Sequence, residues 1–195
     1  GQSVQPARIQ QELDAVLQSG VSLNAVVDAL QILEDSMLVR QIPALEAVLK
    51  KQASPNKFCL CDNFLREAWL QERIPLDVES LNNVPEATVT LAGRLIESVI
   101  GYYLTGISGL DISWFPERTQ EPEVDFVITV GLSRIPLEVK YRRRPVNEQD
   151  LRGVRSFCAQ TKYNAPLGLI VTLDEFRFID DQIVALPAYA LLAMR

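Results

Sequence analysis

Histidine is absent from all 195 residues. That removes Ser-His and Cys-His triads, so any acid-base or metal chemistry must rest on carboxylates and lysines. Cysteine is scarce. Cys59 and Cys61 share an apolar stretch and Cys158 lies far away; with no histidine to complete a zinc site, they read as buried thiols. No apolar run approaches the roughly 20 residues of a membrane-spanning helix. The opening GQSVQPARIQ lacks the basic-then-apolar order of a secretion signal, so a cytoplasmic setting is expected. A basic surplus is missing too: the formal net charge of -6 argues against the broad positive surface of a non-specific nucleic-acid binder.

What is present is core-forming material. Hydrophobic residues make up 48% of the chain, enough for one ordinary domain or two small ones. Ile9, Leu13, Val16 and Leu17 keep helical spacing until Gly20, and Ser22 or Asn24 can cap a second helix carrying Val26, Val27, Leu30, Ile32 and Leu33. Two extended stretches follow, LVRQI and KFCLCD. Helices followed by a two-stranded wing predict a winged-helix-like unit over residues 1–80. Its second helix, NAVVDALQILEDSM, has acids and no bases, which suits a connector or protein-interaction module better than a DNA reader.

Pro75, Pro85 and the Asn82-Asn83 pair place a junction before the second unit, residues 88–195. There LAGRLIESVIGYYL reads as a helix. Strands are predicted near ISWFP, VDFVITV and IPLEVKY, then a helix from about Glu148 and a strand PLGLIVTL. The expected fold class is therefore mixed α/β with an α-β-β-β-α-β core.

The chemistry-bearing residues fall inside that core. Hydrolysing a phosphodiester needs a hard cation held by oxygens, a water activated near it, and positive charge for the developing phosphorane. Asp125 opens one strand, and Glu138 and Lys140 lie two apart on the next, hence on one face. If residues 131–134 form the loop, Val130 pairs with Ile135, Asp125 falls opposite Lys140, and Glu138 faces Val127. The opposite face collects Phe126, Ile128, Val130, Leu137, Val139 and Tyr141 for the interior. On the preceding helix, Glu97 is flanked at i-4 and i+4 by Gly93 and Gly101, an arrangement expected to leave space beside its carboxylate. A lone Glu-x-Lys is more often an ordinary cross-strand ion pair. The added Glu97 and the element order weigh against that bland reading.

VDFVI followed by IPLEVK resembles the core of the PD-(D/E)xK, or restriction-endonuclease-like, superfamily, with Val124-Asp125 in place of proline-aspartate. In order, SPNKFCLCDNFLREAWL, GRLIESVIGYYL, EVDFVI and IPLEVKY resemble the C-terminal region of a family of prokaryotic AAA+ ATPases of poorly defined role. The resemblance covers nearly the whole chain and implies that a winged-helix segment joins an ATPase module to a nuclease-like module. It further implies that Glu97 is the core-helix acid, that Asp125 and Glu138 are metal ligands with Glu97 assisting, and that Lys140 orients water or stabilises charge. Mg²⁺ or Mn²⁺ is the implied cofactor and DNA the implied substrate. The runner-up is a noncatalytic regulatory domain of the same fold that binds nucleic acid or a partner.

No stretch supplies G-x-x-x-x-G-K-[ST], and GYYLTGIS carries Ile107 where the essential lysine belongs, so these residues hold no ATP site. The resemblance then implies an ATPase module beyond them, with oligomeric state left open. Finally, Lys140, Arg142, Arg143, Arg144, Arg152, Arg155 and Lys162 face only Glu148 and Asp150 within their segment. Six of them, Arg142, Arg143, Arg144, Arg152, Arg155 and Lys162, are candidates to grip a phosphate backbone, and equally suit a solvated charged face.

Overall fold

A computed structural model of the chain describes residues 2–45, 55–118, 121–142 and 144–194. The N-terminal elements are a short strand β1 (Gln2–Ser3), helices α1 (Pro6–Leu17) and α2 (Leu23–Asp35), and strands β2 (Val39–Ile42) and β3 (Lys57–Leu60). Pro6 occupies the first turn of α1, where a missing N–H costs nothing, and the Ser22 hydroxyl accepts from Ala25 N at the start of α2. The three strands form one sheet in the order β1-β3-β2. One expectation fails: the apolar stripe of α1 does not reach a core. Leu13, Val16 and Leu17 are exposed, and of α2 only Val26 is buried.

Two short helices, α3 (Asn63–Leu70) and α4 (Val78–Leu81), lead to the long α5 (Glu86–Thr105). The helix expected from Leu91 begins five residues earlier, immediately after Pro85. The β-branched run Thr88-Val89-Thr90 hides that start, because such residues are weak helix formers. Then come β4 (Asp111–Phe115), β5 (Val124–Val130), β6 (Ser133–Lys140), α6 (Glu148–Cys158) and β7 (Gly168–Thr172), the α-β-β-β-α-β order read from the sequence. Two strands and a helix unanticipated there complete it: β8 (Arg177–Phe178), β9 (Ile183–Pro187) and α7 (Ala188–Leu192). The fold is mixed α/β.

The six-stranded sheet runs β4-β5-β6-β7-β9-β8. Its first three strands are antiparallel; β6, β7 and β9 are parallel. Helix α5 covers one face, where Ile96, Ile100 and Leu104 pack with Phe126, Ile128 and Leu137. Helix α6 covers the other, with Leu151, Val154 and Ile170 in one cluster and Phe157, Val127 and Tyr163 in another. Burial of both faces explains why the strands read as nearly continuous apolar runs. The expected interior set needs one correction, since Val130, next to the turn, is 47% exposed.

The β5–β6 hairpin is tighter than expected. Val130 pairs with Ser133 and Phe126 with Leu137, so the loop is Gly131-Leu132 and not residues 131–134. Gly131, at φ +59°, supplies the left-handed first position such a two-residue turn needs. The shift is two residues, so every side chain keeps its face, but Asp125 now lies alongside Glu138 and not Lys140.

The N-terminal sheet sits directly on α5. Ile42 and Cys59 join the core of Ile100 and Phe126, and Leu60 N donates to the buried Ser98 hydroxyl at 2.6 Å. Gly101 belongs to this contact. A Cβ there would stand 2.5 Å from Cys59 Sγ and 2.8 Å from the Phe126 ring, so this glycine permits close packing and leaves no space beside Glu97. Gly93, by contrast, lines the cleft next to Glu97.

Candidate functional site

Glu97 on α5, Asp125 on β5, and Glu138 and Lys140 on β6 meet at one end of the sheet. Val139 N donates to Asp125 Oδ2 at 2.8 Å, Asp125 N lies 3.4 Å from Glu138 Oε2, and Lys140 Nζ donates to Glu138 Oε1 at 2.5 Å. Pairing of the two strands thus forces the two acids together. A cleft of about 270 Å³ opens beside Asp125, lined by Gly93, Arg94, Glu97, Lys140 and Arg142 among others.

Sequence reasoning missed one member of the cluster. Lys57, the first residue of β3, is 2% exposed, and its Nζ donates to Glu97 Oε1 at 2.9 Å, to Asp125 Oδ1 at 3.2 Å and to the Asp125 carbonyl at 3.2 Å. Glu123 Oε1 lies 3.5 Å away, and the rings of Trp114 and Phe126 lie 5.4 and 5.1 Å from the ammonium. The signal was legible: in KFCL, alternation puts Lys57 on the same inward side as the buried Cys59. A lysine at an inward position must find carboxylates.

Burial and mutual repulsion set the electrostatics. The Glu138 carboxyl is pushed from 4.5 up to about 8, by desolvation first and the Asp125 charge second, with Lys140 opposing. Glu97 is raised for the same two reasons, with Lys57 opposing. Desolvation alone would lower Lys57, but Asp125, Glu97 and Glu123 outweigh it and hold the ammonium above its ordinary range. Lys140 is raised in the same way, chiefly by Glu138.

A folded-state pKa above the unfolded one makes a carboxyl hold its proton longer when folded, so this group's contribution to stability declines as pH rises from about 4.5 towards 8. The slope is at most roughly 1.4 kcal/mol per pH unit. Glu138→Gln is expected to flatten the urea midpoint across pH 5 to 8. An unchanged slope in the variant would place the titration elsewhere.

The oxygen donors suit a hard divalent cation. Glu97, Asp125 and the Asp125 carbonyl converge on one positive centre, the Lys57 ammonium. Glu138 is meanwhile turned to Lys140. Among the described residues, no three acidic or thiol side chains are grouped so as to hold a metal ion in this conformation.

Three of the six candidate basic residues, Arg142, Arg155 and Lys162, are matched by the chain's own acids. Arg142 pairs with Asp150, which also forms the capping box of α6 with Asn147. Arg155 reaches Asp180 at 3.2 Å and Glu148 at 3.6 Å, and Lys162 reaches Glu121 at 2.9 Å. Arg144 and Arg152 are exposed, and Arg143 lies outside the described residues.

Residues 92–191, more than half of the chain, match the family described as "Domain of unknown function (DUF4143)", and the chain belongs to that family. No curated protein matches it. Among solved structures, the refined half-complex from the tetradecameric assembly of Thermococcus gammatolerans McrB AAA+ hexamers with bound McrC is similar at 14% identity and a TM-score of 0.39. That alignment covers 86% of this chain and 62% of the other, so the chain spans less than two thirds of the length of the protein it matches. No helix among the described residues is long and apolar enough to cross a membrane.

Proposed function

We propose that this chain is part of a prokaryotic AAA+ ATPase and carries a metal-dependent nuclease module that hydrolyses DNA phosphodiester bonds. The observation that carries the reading is the assembly of Glu97, Asp125, Glu138 and Lys140 from three elements, with Glu97, Asp125 and Lys140 lining one cleft and Glu138 paired to Lys140. The resemblance of VDFVI and IPLEVK to restriction-endonuclease-like cores supports it, and the winged-helix-like order of α1, α2, β2 and β3 is in keeping with a connector to an ATPase module.

In this reading Asp125, Glu138 and the Val139 carbonyl would hold Mg²⁺ or Mn²⁺, with Glu97 assisting. Such an ion would supply Lewis acidity and would make a bound water more acidic than bulk water. The chain's own contribution is positional. Backbone donation from Val139 fixes the Asp125 carboxylate, and Lys140 keeps a positive charge beside the place where a phosphorane would gain negative charge. Arg94 and Arg142 line the same cleft, where phosphate oxygens would lie.

Plasmid and single-stranded DNA incubated with Mn²⁺ test this. The wild-type chain should cleave at least one of them, and Asp125→Ala should fall by about a thousandfold, the several kcal/mol a metal contributes. Equal traces from both proteins would remove the hydrolase.

A second reading, a noncatalytic module regulating the ATPase, is favoured by a specific observation: each acid of the cluster is already paired with Lys57 or Lys140. It predicts no cleavage at any metal concentration.

A further inference from the structure

We propose that Lys57 is the resident cation of this site and competes with a divalent metal ion for Glu97 and Asp125. The acid cluster then admits metal only when the Lys57 ammonium withdraws. This rests on the metal-site reading above and adds a contact that holds the site closed.

The two carboxylates have one place between them and Lys57 fills it. Its Nζ is 2.9 Å from Glu97 and 3.2 Å from Asp125, so an ion bound to both would meet the ammonium at contact distance. Two positive centres cannot share that place, because their repulsion is poorly screened where water is excluded. Lys57 is not part of the strand pair that builds the rest of the cluster. It comes from β3, 40 residues before Glu97 and 68 before Asp125, on the small N-terminal sheet.

A further carboxylate stands next to the ammonium. Lys57 forms part of the wall of a separate hollow of about 440 Å³, with Ser3, Arg8, Glu12, Arg94 and Glu123 around it. Glu123 is half-exposed on that side, and its Oε1 is already 3.5 Å from Nζ. The cleft beside Asp125 is a separate space whose wall does not include Lys57, and Arg94 lines both. Lysine has four rotatable side-chain bonds, so a rotamer change carries Nζ from Asp125 towards Glu123 while the backbone of β3 stays paired. The ammonium keeps a carboxylate partner in both positions and is never buried alone.

Trp114 reports on the exchange, since its ring lies 5.4 Å from Nζ. The chain has two tryptophans, and the other, Trp69, is exposed. In a Trp69→Phe background all indole emission therefore comes from Trp114. Mg²⁺ titrated into this protein should bind, measured by calorimetry, and should change Trp114 emission with the same midpoint. Lys57→Met, without the competitor, should bind Mg²⁺ at least tenfold more tightly. Mg²⁺ binding that leaves Trp114 emission unchanged, with equal affinity in Lys57→Met, overturns the competition and leaves the metal site standing. Absence of Mg²⁺ binding in both proteins overturns the metal site and this inference together. Should Lys57→Met not fold, the Trp114 titration of the Lys57 protein decides alone.

Discussion

Replacing Lys57 with methionine is expected to destabilise the fold by about 3–5 kcal/mol at neutral pH, the usual consequence of removing one partner of a buried ion pair. Lys57 is 2% exposed and its ammonium bridges carboxylates on two different elements, so its loss removes the positive charge that Glu97 and Asp125 share. Methionine fills much of the volume beside Trp114 and Phe126, which confines the change to charge. Repulsion between the acids is relieved when one of them takes up a proton, so the deficit should shrink at pH 5. Urea denaturation at pH 7.5 and pH 5 reads both effects. A loss below about 1 kcal/mol at both values would mean that the network does not hold the N-terminal sheet against the larger one.

Lys140→Met is expected to separate binding from chemistry. In the proposed mechanism Lys140 is not a metal ligand, so Mn²⁺ binding should survive, while cleavage falls by about 10²–10³-fold, the range for removing one positioned stabilising group. A further sign follows from Glu138, already pushed up to about 8 with Lys140 opposing the rise. Without that lysine the carboxyl rises further. Since a ligand must be deprotonated, metal binding in the variant should move to higher pH. Cleavage at the wild-type rate would remove Lys140 from the mechanism and return it to an ordinary ion-pair partner of Glu138.

The larger sheet and its helices were legible because their patterns are long and strong. VDFVITV and IPLEVKY alternate around buried positions, and the Asn147–Asp150 capping box marks the start of α6. The register was misread by two residues, since a Gly-first turn needs only Gly131 and Leu132, yet period-two alternation preserved which side chains share a face. What the pattern could not supply was a neighbour from another sheet. Lys57 meets Asp125 across 68 residues, and no local periodicity encodes such a contact; the only trace was a lysine at an inward position of β3. Gly101 was likewise read as open space because helical spacing says nothing of Cys59 and Phe126, which occupy it. The end of the chain was missed for another reason. IVALP and the helix after it are short apolar segments whose periodicity favours neither helix nor strand.

Calorimetric titration of Mn²⁺ into the wild-type chain and into Asp125→Ala tests the central claim most directly, with circular dichroism showing that both are folded. The account predicts one ion bound per wild-type chain, strengthening as pH rises through about 8 and Glu138 loses its proton, and no binding in the variant. Wild-type protein that takes up no metal at any pH, or a variant that binds as tightly as the wild type, would contradict it.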